Sequence, residues 1–400
     1  MWIASAATSD TDPRAAVSAL ADALPLAERG PPDFLALHIN ATYSVEAVRA
    51  CAGHLAAKTL HGATSCLGVM TESGLHGGNS GGMGCLALWD AAGDYGTACL
   101  PLGQDPMATA AAATRQALQA AGRQGEAPEL VWLTASPGCE EAVLAGIESV
   151  VGKDTPILGG SAADNDVSGQ WKVFDGATGF GDGVAISVLF PSQPLSHSFQ
   201  TGYVPNAHQG TVTRAAGRRL FEIDGQPAAE VYASWSQSAA GTPTDRSRRD
   251  LIADGTYFPL GREAGRLGKL PVYLLAQPAG INADGSLDLH AGLETGDRLV
   301  MMQGNRDYLR TRATRIARFS RQDKASSDTR KSAGLMIFCA TCMLAIRDRM
   351  GEIAKEVSEA FGGGPFLAVF SFGEQGTLAR GTNRHGNLMI SCMTFTLDDD

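Results

Sequence analysis

The sequence has no long hydrophobic run, no excess of positive charge, few aromatics and few cysteines, and each shortage closes off a class of protein. Nowhere do about 18 apolar residues follow one another, so no transmembrane helix is expected. The opening stretch, MWIASAATSDTDPRAAVSALADAL, carries no basic segment ahead of an apolar one, as a secretory leader would. Lys and Arg number 32 against 42 Asp and Glu, a formal net charge of -10 with pI near 5.3, which repels phosphate backbones. Basic residues thicken only at Arg246, Arg248 and Arg249 and along the run from Arg306 to Arg321. The expectation is a cytoplasmic protein with neither nucleic acid nor a membrane as partner. Eight cysteines in 400 residues are too few for a disulfide scaffold, and Cys66, Cys85 and Cys392 stand in apolar stretches as small core residues do. Only Cys339 and Cys342, spaced as CxxC, carry chemical meaning through their spacing.

What is present is enough apolar material, 44% of residues, to bury at least two domain-sized cores. It is arranged as a repeat. FLALHIN (34–40) leads into the helical stretch SVEAVRACAGHLAAK and then TLHGATSCLG; LVWLTAS (130–136) leads into EEAVLAGIESVVG and then PILGGSAADN. Phe34 aligns with Leu130 and Gly62 with Gly159, with one single-residue indel between them. Each copy ends in a glycine-rich loop and a further strand, GGMGCLALW in the first and GDGVAISVLF in the second. A more distant third copy runs LMIF, the helix around RDRMGEIAKEVSEAF, and PFLAVFSFGEQG, which sets Cys339 level with His38 and Thr134.

Apolar runs joined through a helix-length stretch are the mark of buried, parallel strands. The fold class is therefore α/β, mixed α+β: repeated strand-helix-strand units in largely parallel or mixed sheets covered by helices. We divide the chain into two domains, 1–195 with its internal repeat at about 33–90 and 129–190, and 196–400. The polar segment 236–250 reads as a loop or hinge. Ligands of such sheets gather beyond the carboxyl ends of the strands, which is where His38, Thr134, Ser161, Cys339 and Glu374 should lie.

Cys339 and Cys342 fall where a buried strand hands over to a helix. A thiol at the first turn of a helix through Arg347 and Met350 would have a lowered pKa, and Cys339 is the one selected. Either thiol then serves as a nucleophile, a redox group or a soft metal ligand, or both are core packing. Met336, Met343, Met350, Met389 and Met393 suit copper(I) and suit a core equally. No second CxxC or paired histidine completes a zinc site, and no CxxCH fixes a haem. Haem, copper and zinc stay open and none is required. GGSAADN (159–165) offers two glycines, a hydroxyl, a carboxylate and an amide, either to a ligand or to a tight turn. Glu374 ends an apolar strand, where a carboxylate pairs with a cation or has a raised pKa. ESGLHGGNSGGMG (72–84) reads as a lid or a hairpin tip, and it is not a P-loop.

GATSCLG, ILGGSAADN, GRRLFEIDGQPAAEVY, NADGSLDLHAGLETGDRLVMMQGN, the IFC before the last helix and PFLAVFSFGEQG occur in the order of the FIST proteins, and the chain resembles that family over nearly its whole length. The resemblance implies a sensory protein that binds a small molecule between a FIST N-like and a FIST C-like half, acting with a separate signalling or pathway partner. Gly159, Gly160, Ser161, Asp164, Asn165, Glu374, His38 and Thr134 would line the pocket, with Cys339 against the ligand. It also implies an arginine three residues after that cysteine; here the position holds Cys342, and the next arginine, Arg347, is eight residues beyond Cys339. If that arginine anchors an anionic ligand, the anchor is absent from its place. Two other functions remain open: an enzyme with Cys339 or Cys342 as catalytic or metal-ligating residue, and a haem or copper protein.

Overall fold

The computed structural model describes residues 1–236, 248–321, 331–378 and 381–397. Residues 237–247 of the expected hinge, with Arg246, lie outside the described residues.

The first unit runs β1 (Trp2–Thr8), α1 (Pro13–Ala23), α2 (Leu26–Arg29), β2 (Phe34–Asn40), α3 (Val45–Cys51), β3 (Leu60–Ser65), β4 (Val69–Thr71), β5 (Gly74–His76) and β6 (Met83–Trp89). The second opens with β7 (Asp94–Pro101) and α4 (Pro106–Ala120). It continues through β8 (Leu130–Ala135), α5 (Glu140–Val151), β9 (Ile157–Ser161), β10 (Val173–Phe174), β11 (Gly179–Phe180) and β12 (Gly183–Phe190), after which β13 (Leu195–Thr201) opens the third unit. An all-but-separate block follows: β14 (Val204–Ala216), β15 (Arg219–Ile223), β16 (Gln226–Pro227), α6 (Ala228–Trp235), α7 (Arg248–Tyr257), β17 (Leu260–Leu267), β18 (Leu270–Ala276), β19 (Pro278–Ile281), β20 (Leu287–Leu289) and β21 (Arg298–Gln303). The third unit resumes with α8 (Arg306–Arg321), β22 (Ser332–Cys339), α9 (Ala340–Ala345), α10 (Met350–Ala360), β23 (Phe366–Ser371), β24 (Glu374–Leu378), β25 (Thr382–Gly386) and β26 (Met389–Thr396).

Local chemistry sets these limits. Asp12 and Asp105 each cap a helix that begins with proline, accepting a backbone N–H three residues on, and Ser44 does the same for α3. β2, β8 and β22 are buried at every residue, as strands covered on both faces must be.

The three units form three six-stranded sheets of one design: β1-β6-β2-β3-β10-β11, β7-β12-β8-β9-β24-β25 and β13-β26-β22-β23-β4-β5. The central pairs β2–β3, β8–β9 and β22–β23 are parallel, and every other pairing among the described strands is antiparallel. The hairpin that closes each sheet comes from a different unit. β4–β5 of the first completes the third, β10–β11 of the second completes the first, and β24–β25 of the third completes the second. This cyclic exchange locks the three units together. Phe34 and Leu88, Trp132 and Leu158, and Leu335 and Leu367, one pair from each sheet, meet in a shared central core.

The repeat read from the sequence is thus present in space, with one correction. The ladders β2–β6 and β22–β26 place Phe34 opposite Leu88 and Ala333 opposite Phe395, and the parallel ladders begin at Leu35 and Gly334. Cys339 therefore corresponds to Asn40 and Ser136, and His38 and Thr134 correspond to Ile337. The slip is two residues, which leaves Cys339 on the same face. The helix expected to run from Cys342 through Arg347 and Met350 is broken: α9 stops at Ala345, and a 3-10 turn precedes α10.

The boundary expected near residue 195 falls at the start of β13, which pairs along its length with β26. From there the block 204–303 forms a sheet of its own, with a core of Val212, Leu220, Ile223, Tyr232, Leu260 and Met301, before α8 and β22 rejoin the threefold body. Among the described residues no helix is long and apolar enough to cross a membrane.

Candidate functional site

β24 carries two polar centres, one on each face. Neighbours on a strand point to opposite sides. Glu374 sits opposite Gly160 and Gln375 opposite Gly159, so Glu374 faces the inside of the threefold body while Gln375 faces α5.

On the α5 side, a chain of buried side chains joins the units. Ser161 Oγ donates to Glu140 Oε1 at 2.6 Å, and Gln375 Nε2 donates to Ser161 Oγ at 3.3 Å. Gln375 Nε2 also lies 3.1 Å from His385 Nδ1, and His385 Nε2 lies 3.1 Å from the carbonyl of His290. Arg218 Nη2 donates to Glu140 at 2.5 Å and Glu141 at 2.7 Å. Burial works to raise the pKa of Glu140, but His385, Arg218 and the Ser161 hydroxyl outweigh it and pull it down to about 2. Above this chain opens a cleft of about 820 Å³ between the start of α5, the block 204–303 and β25. Its walls carry both signs of charge, Arg218, Arg262 and Arg384 against Glu141, Glu148 and Glu294, beside Leu144 and Leu293. Arg218 is bound to its glutamates and Arg262 lies 3.5 Å from Asp297, whereas Arg384, among the described residues, donates only to the neighbouring Asn383 carbonyl.

The inner centre is closed. Cys339 is 4% exposed and Cys342, Arg312 and Glu374 are fully buried. Arg312 comes from α8, where Leu309, Arg312, Ala313, Ile316 and Ala317 form the buried stripe. Its guanidinium donates to the carbonyls of Leu388 (2.9 Å) and Met389 (3.4 Å), lies over the Phe338 ring at 5.2 Å and leaves Nε without a partner. Tyr203 donates its hydroxyl to the Thr256 carbonyl at 2.6 Å, and the same oxygen is 3.5 Å from Cys342 Sγ. Glu374 accepts from Ser371 Oγ at 2.8 Å and from the Met389 N–H at 2.9 Å.

These neighbours treat the two thiols differently. Burial raises the pKa of Cys339 well above the ordinary thiol value, and its partner Cys342 adds to that. At Cys342 burial is outweighed by Cys339, the Arg312 charge and the Tyr203 hydroxyl, and the pKa falls. The activating groups thus surround Cys342 rather than Cys339, the thiol selected from the sequence, because a six-residue α9 supplies little dipole while a buried guanidinium supplies a full charge. Burial, with Cys339 nearby, holds the Glu374 pKa well above the carboxylate range. Arg347, the next arginine after Cys339, is exposed and reaches toward Gly78.

His38 and Thr134 lie in the interior, apart from both centres. Thr134 Oγ1 and Ser187 Oγ hold His61 at 2.9 and 2.8 Å. His38, its ring centroid 6.4 Å from that of His61, has neither nitrogen paired among the described residues, and burial lowers its pKa to about 3.

The remaining sequence-selected residues serve local geometry. A Cβ on Gly159 would strike the Leu133 carbonyl, and one on Gly160 would meet Ile337 and Ser371. Asp164 accepts the N–H groups of Val167 (2.6 Å) and Gln170 (2.7 Å), closing a turn. Asn165 joins Asn40 Oδ1 to the Leu67 N–H. The glycine-rich stretch 72–84 holds the turn and second strand of the exchanged hairpin β4–β5 and the connection into β6, and Asn40 Nδ2 donates to the Gly78 and Gly81 carbonyls of that connection.

Glu140, Gln375, His385, Arg218, Arg312 and Tyr203 were not selected from the sequence. Arg312 left a signal: it interrupts the apolar stripe of an otherwise amphipathic basic helix, at a place where leucine or alanine belongs.

Among the described residues no three His, Cys, Asp or Glu side chains gather as a metal cluster. The FIST N domain matches residues 33–226 and the FIST C domain residues 228–377. No curated protein matches the sequence. Among solved structures, a cyanuric acid hydrolase from A. caulinodans is similar at 10% identity and a TM-score of 0.35, with 98% of each chain covered.

Proposed function

Since the chain belongs to the FIST family, whose domains are linked to small-molecule sensing, we propose that it is a ligand-binding sensory protein with its pocket in the cleft between α5 and the block 204–303. One observation carries the reading: behind His385 and Arg218, which line the cleft, runs a continuous buried chain, Glu140–Ser161–Gln375–His385, drawn from both halves and tied by Arg218. A ligand seated there touches both halves at once, so its binding energy favours one arrangement of them over another, which is what a sensor needs. Arg384, the cleft guanidinium without a carboxylate of its own among the described residues, is the group left to receive an anionic ligand end, and Glu294 stands across for a cationic one. Ser161 and Gln375 contribute from behind the cleft wall, by joining Glu140 to His385. Eight unpaired cysteines suit a reducing, cytoplasmic setting.

Of the cofactors left open by the sequence, a soft metal at Cys339 and Cys342 would sit beside the Arg312 charge, which opposes a second cation. The reading therefore assigns those thiols no metal. It is tested by titrating the protein with single amino acids and small mono- and dicarboxylates in a calorimeter. A ligand at one hundred times its Kd stabilises the folded chain by about 2.7 kcal/mol, which thermal melting reads independently. Absence of a response to every probe in both assays counts against the cleft as a site for that class.

A further inference from the structure

The three units place one polar side chain each at the end of the first parallel strand: Asn40, Ser136 and Cys339. In the first two units that side chain is a clasp on the segment leading into the antiparallel neighbour. Asn40 Nδ2 donates to the Gly81 carbonyl ahead of β6, and Ser136 Oγ donates to the Gly181 carbonyl ahead of β12. In the third unit the register of β6 and β26 makes Leu388 the counterpart of Gly81, and its carbonyl is taken by Arg312 instead. Cys339 is thereby relieved of the structural task, and it lies beside a second thiol.

A guanidinium buried among Tyr203, Phe338 and Met389 is an expensive way to hold two carbonyls, because desolvating a charge costs several kcal/mol unless an anion answers it. Among the described residues Arg312 has no carboxylate partner, and its Nε is unpaired. The ionisable groups facing it are Cys342, Cys339, Tyr203 and Glu374. Glu374 already accepts two hydrogen bonds, and the Tyr203 proton is committed to Thr256 or to Cys342.

We propose that Cys339 and Cys342 form an enclosed dithiol–disulfide couple oxidised by hydrogen peroxide, in which Cys342 is the attacking sulfur, Arg312 positions it and Cys339 resolves the product. The Cys342 thiolate attacks one peroxide oxygen; an S–O bond forms, the O–O bond breaks, and the departing hydroxide joins the proton that Cys342 gave up, making water. Cys339 then attacks the Cys342 sulfenic acid; the S–S bond forms, the S–O bond breaks, and the Cys339 proton leaves with the hydroxide as a second water. The two sulfurs lose two electrons and the peroxide gains them. Because Cys342 is fully buried and Cys339 is 4% exposed, the oxidant is assigned as the small molecule hydrogen peroxide. The couple stands whether or not the cleft binds a ligand.

The test exposes the reduced full-length protein to stoichiometric hydrogen peroxide, unfolds it in N-ethylmaleimide and maps the peptides. The expected product is a Cys339–Cys342 disulfide, formed ahead of any change at the half-exposed Cys139, with a sulfur-bound oxygen accumulating at Cys342 in Cys339→Ser. Arg312→Met should slow the reaction about tenfold or more at neutral pH and move its pH profile upward, while Arg312→Lys, which keeps the charge, should recover part of the rate. Circular dichroism and melting report whether these variants fold; if Arg312→Met does not, the wild-type map and the Cys339→Ser adduct still decide. Oxidation at Cys139 with the pair left reduced overturns the proposal, as does an adduct in Cys339→Ser at any sulfur but Cys342, or an unchanged rate in folded Arg312→Met.

Discussion

Arg218 Nη2 stands 2.5 Å from Glu140 Oε2, and this contact ties the inserted block to the first residue of α5. Glu140 is 2% exposed and cannot turn to water if the guanidinium is lost. Arg218→Met should therefore cost about 2–4 kcal/mol, somewhat less than a fully enclosed pair because Arg218 is a quarter exposed. The sign of the pH effect follows from the depressed pKa. Glu140 contributes stability that is present above its unfolded value near 4.5 and is lost as pH falls through about 2. In Arg218→Met the folded pKa of Glu140 moves up toward the unfolded value, so the stability lost on acidification should be smaller and complete at higher pH. Melting temperatures across that range check both, and an unchanged acid limb would detach Arg218 from Glu140.

His38 acts in the same sense as Glu140, through burial rather than through pairing. Its folded pKa, near 3, lies below the unfolded 6.5, so the unfolded chain binds the extra proton and stability drains as pH falls from 6.5 toward 3, by about 1.4 kcal/mol per unit. His38→Leu removes a titrating group with no hydrogen bond to lose. Its melting temperature should fall less than wild type between pH 6.5 and 4.5, above the window in which Glu140 titrates. Parallel curves for the two proteins would mean that His38 is solvated or paired in solution.

Much of this architecture is legible in the sequence, because buried parallel strands write themselves as apolar runs: FLALHIN, LVWLTAS and LMIF announce β2, β8 and β22. The exchange of hairpins is not legible. β4–β5 pairs with β23 across most of the chain, and nothing in GLHGGNSGG distinguishes a hairpin that crosses to another sheet from one that folds back. The third copy slips by two residues for a related reason: period-two patterning fixes the face of Cys339 but not its level. Ser161 and Glu374 are brought close to one another across β9 and β24, yet they belong to different centres, since the sequence does not say which face of β24 looks outward. Position 342 misleads most. The charge sought beside that cysteine is absent locally and arrives from α8, where a run of arginines hides the one that is buried.

Glu374 offers a sharper distinction. Glu374→Ala strands the Ser371 hydroxyl and the Met389 N–H in the core and should cost about 2–5 kcal/mol, and Glu374→Gln should cost less because an amide oxygen still accepts one of them. The raised pKa of the native carboxyl means that the folded chain holds its proton longer than the unfolded one, so stability falls as pH rises above the unfolded value of 4.5. Glu374→Gln should flatten that slope. Ligand binding in the cleft should survive in both variants where they fold, because Glu374 faces the closed side of β24; a selective loss of binding would move the pocket inward.

Gly159 separates packing from recognition. Its Cβ would strike the Leu133 carbonyl, so Gly159→Ala should destabilise the chain by at least about 1–3 kcal/mol through displaced backbone. Chemical denaturation measures this directly. A variant of wild-type stability with impaired ligand binding would return Gly159 to the pocket wall.

The account rests most on the cleft, and one calorimetric titration tests it: the tightest-binding probe among the amino acids and small carboxylates, run against wild type and Arg384→Ala in parallel. Arg384 is half-buried at the cleft wall and carries no carboxylate partner among the described residues, so its removal should leave the melting temperature within a degree or two of wild type, as an exposed-side change of about 0.5 kcal/mol would. The account predicts saturable binding to wild type and affinity weakened about tenfold or more in the variant. Equal affinity in the two proteins would contradict it and place the ligand elsewhere in the fold.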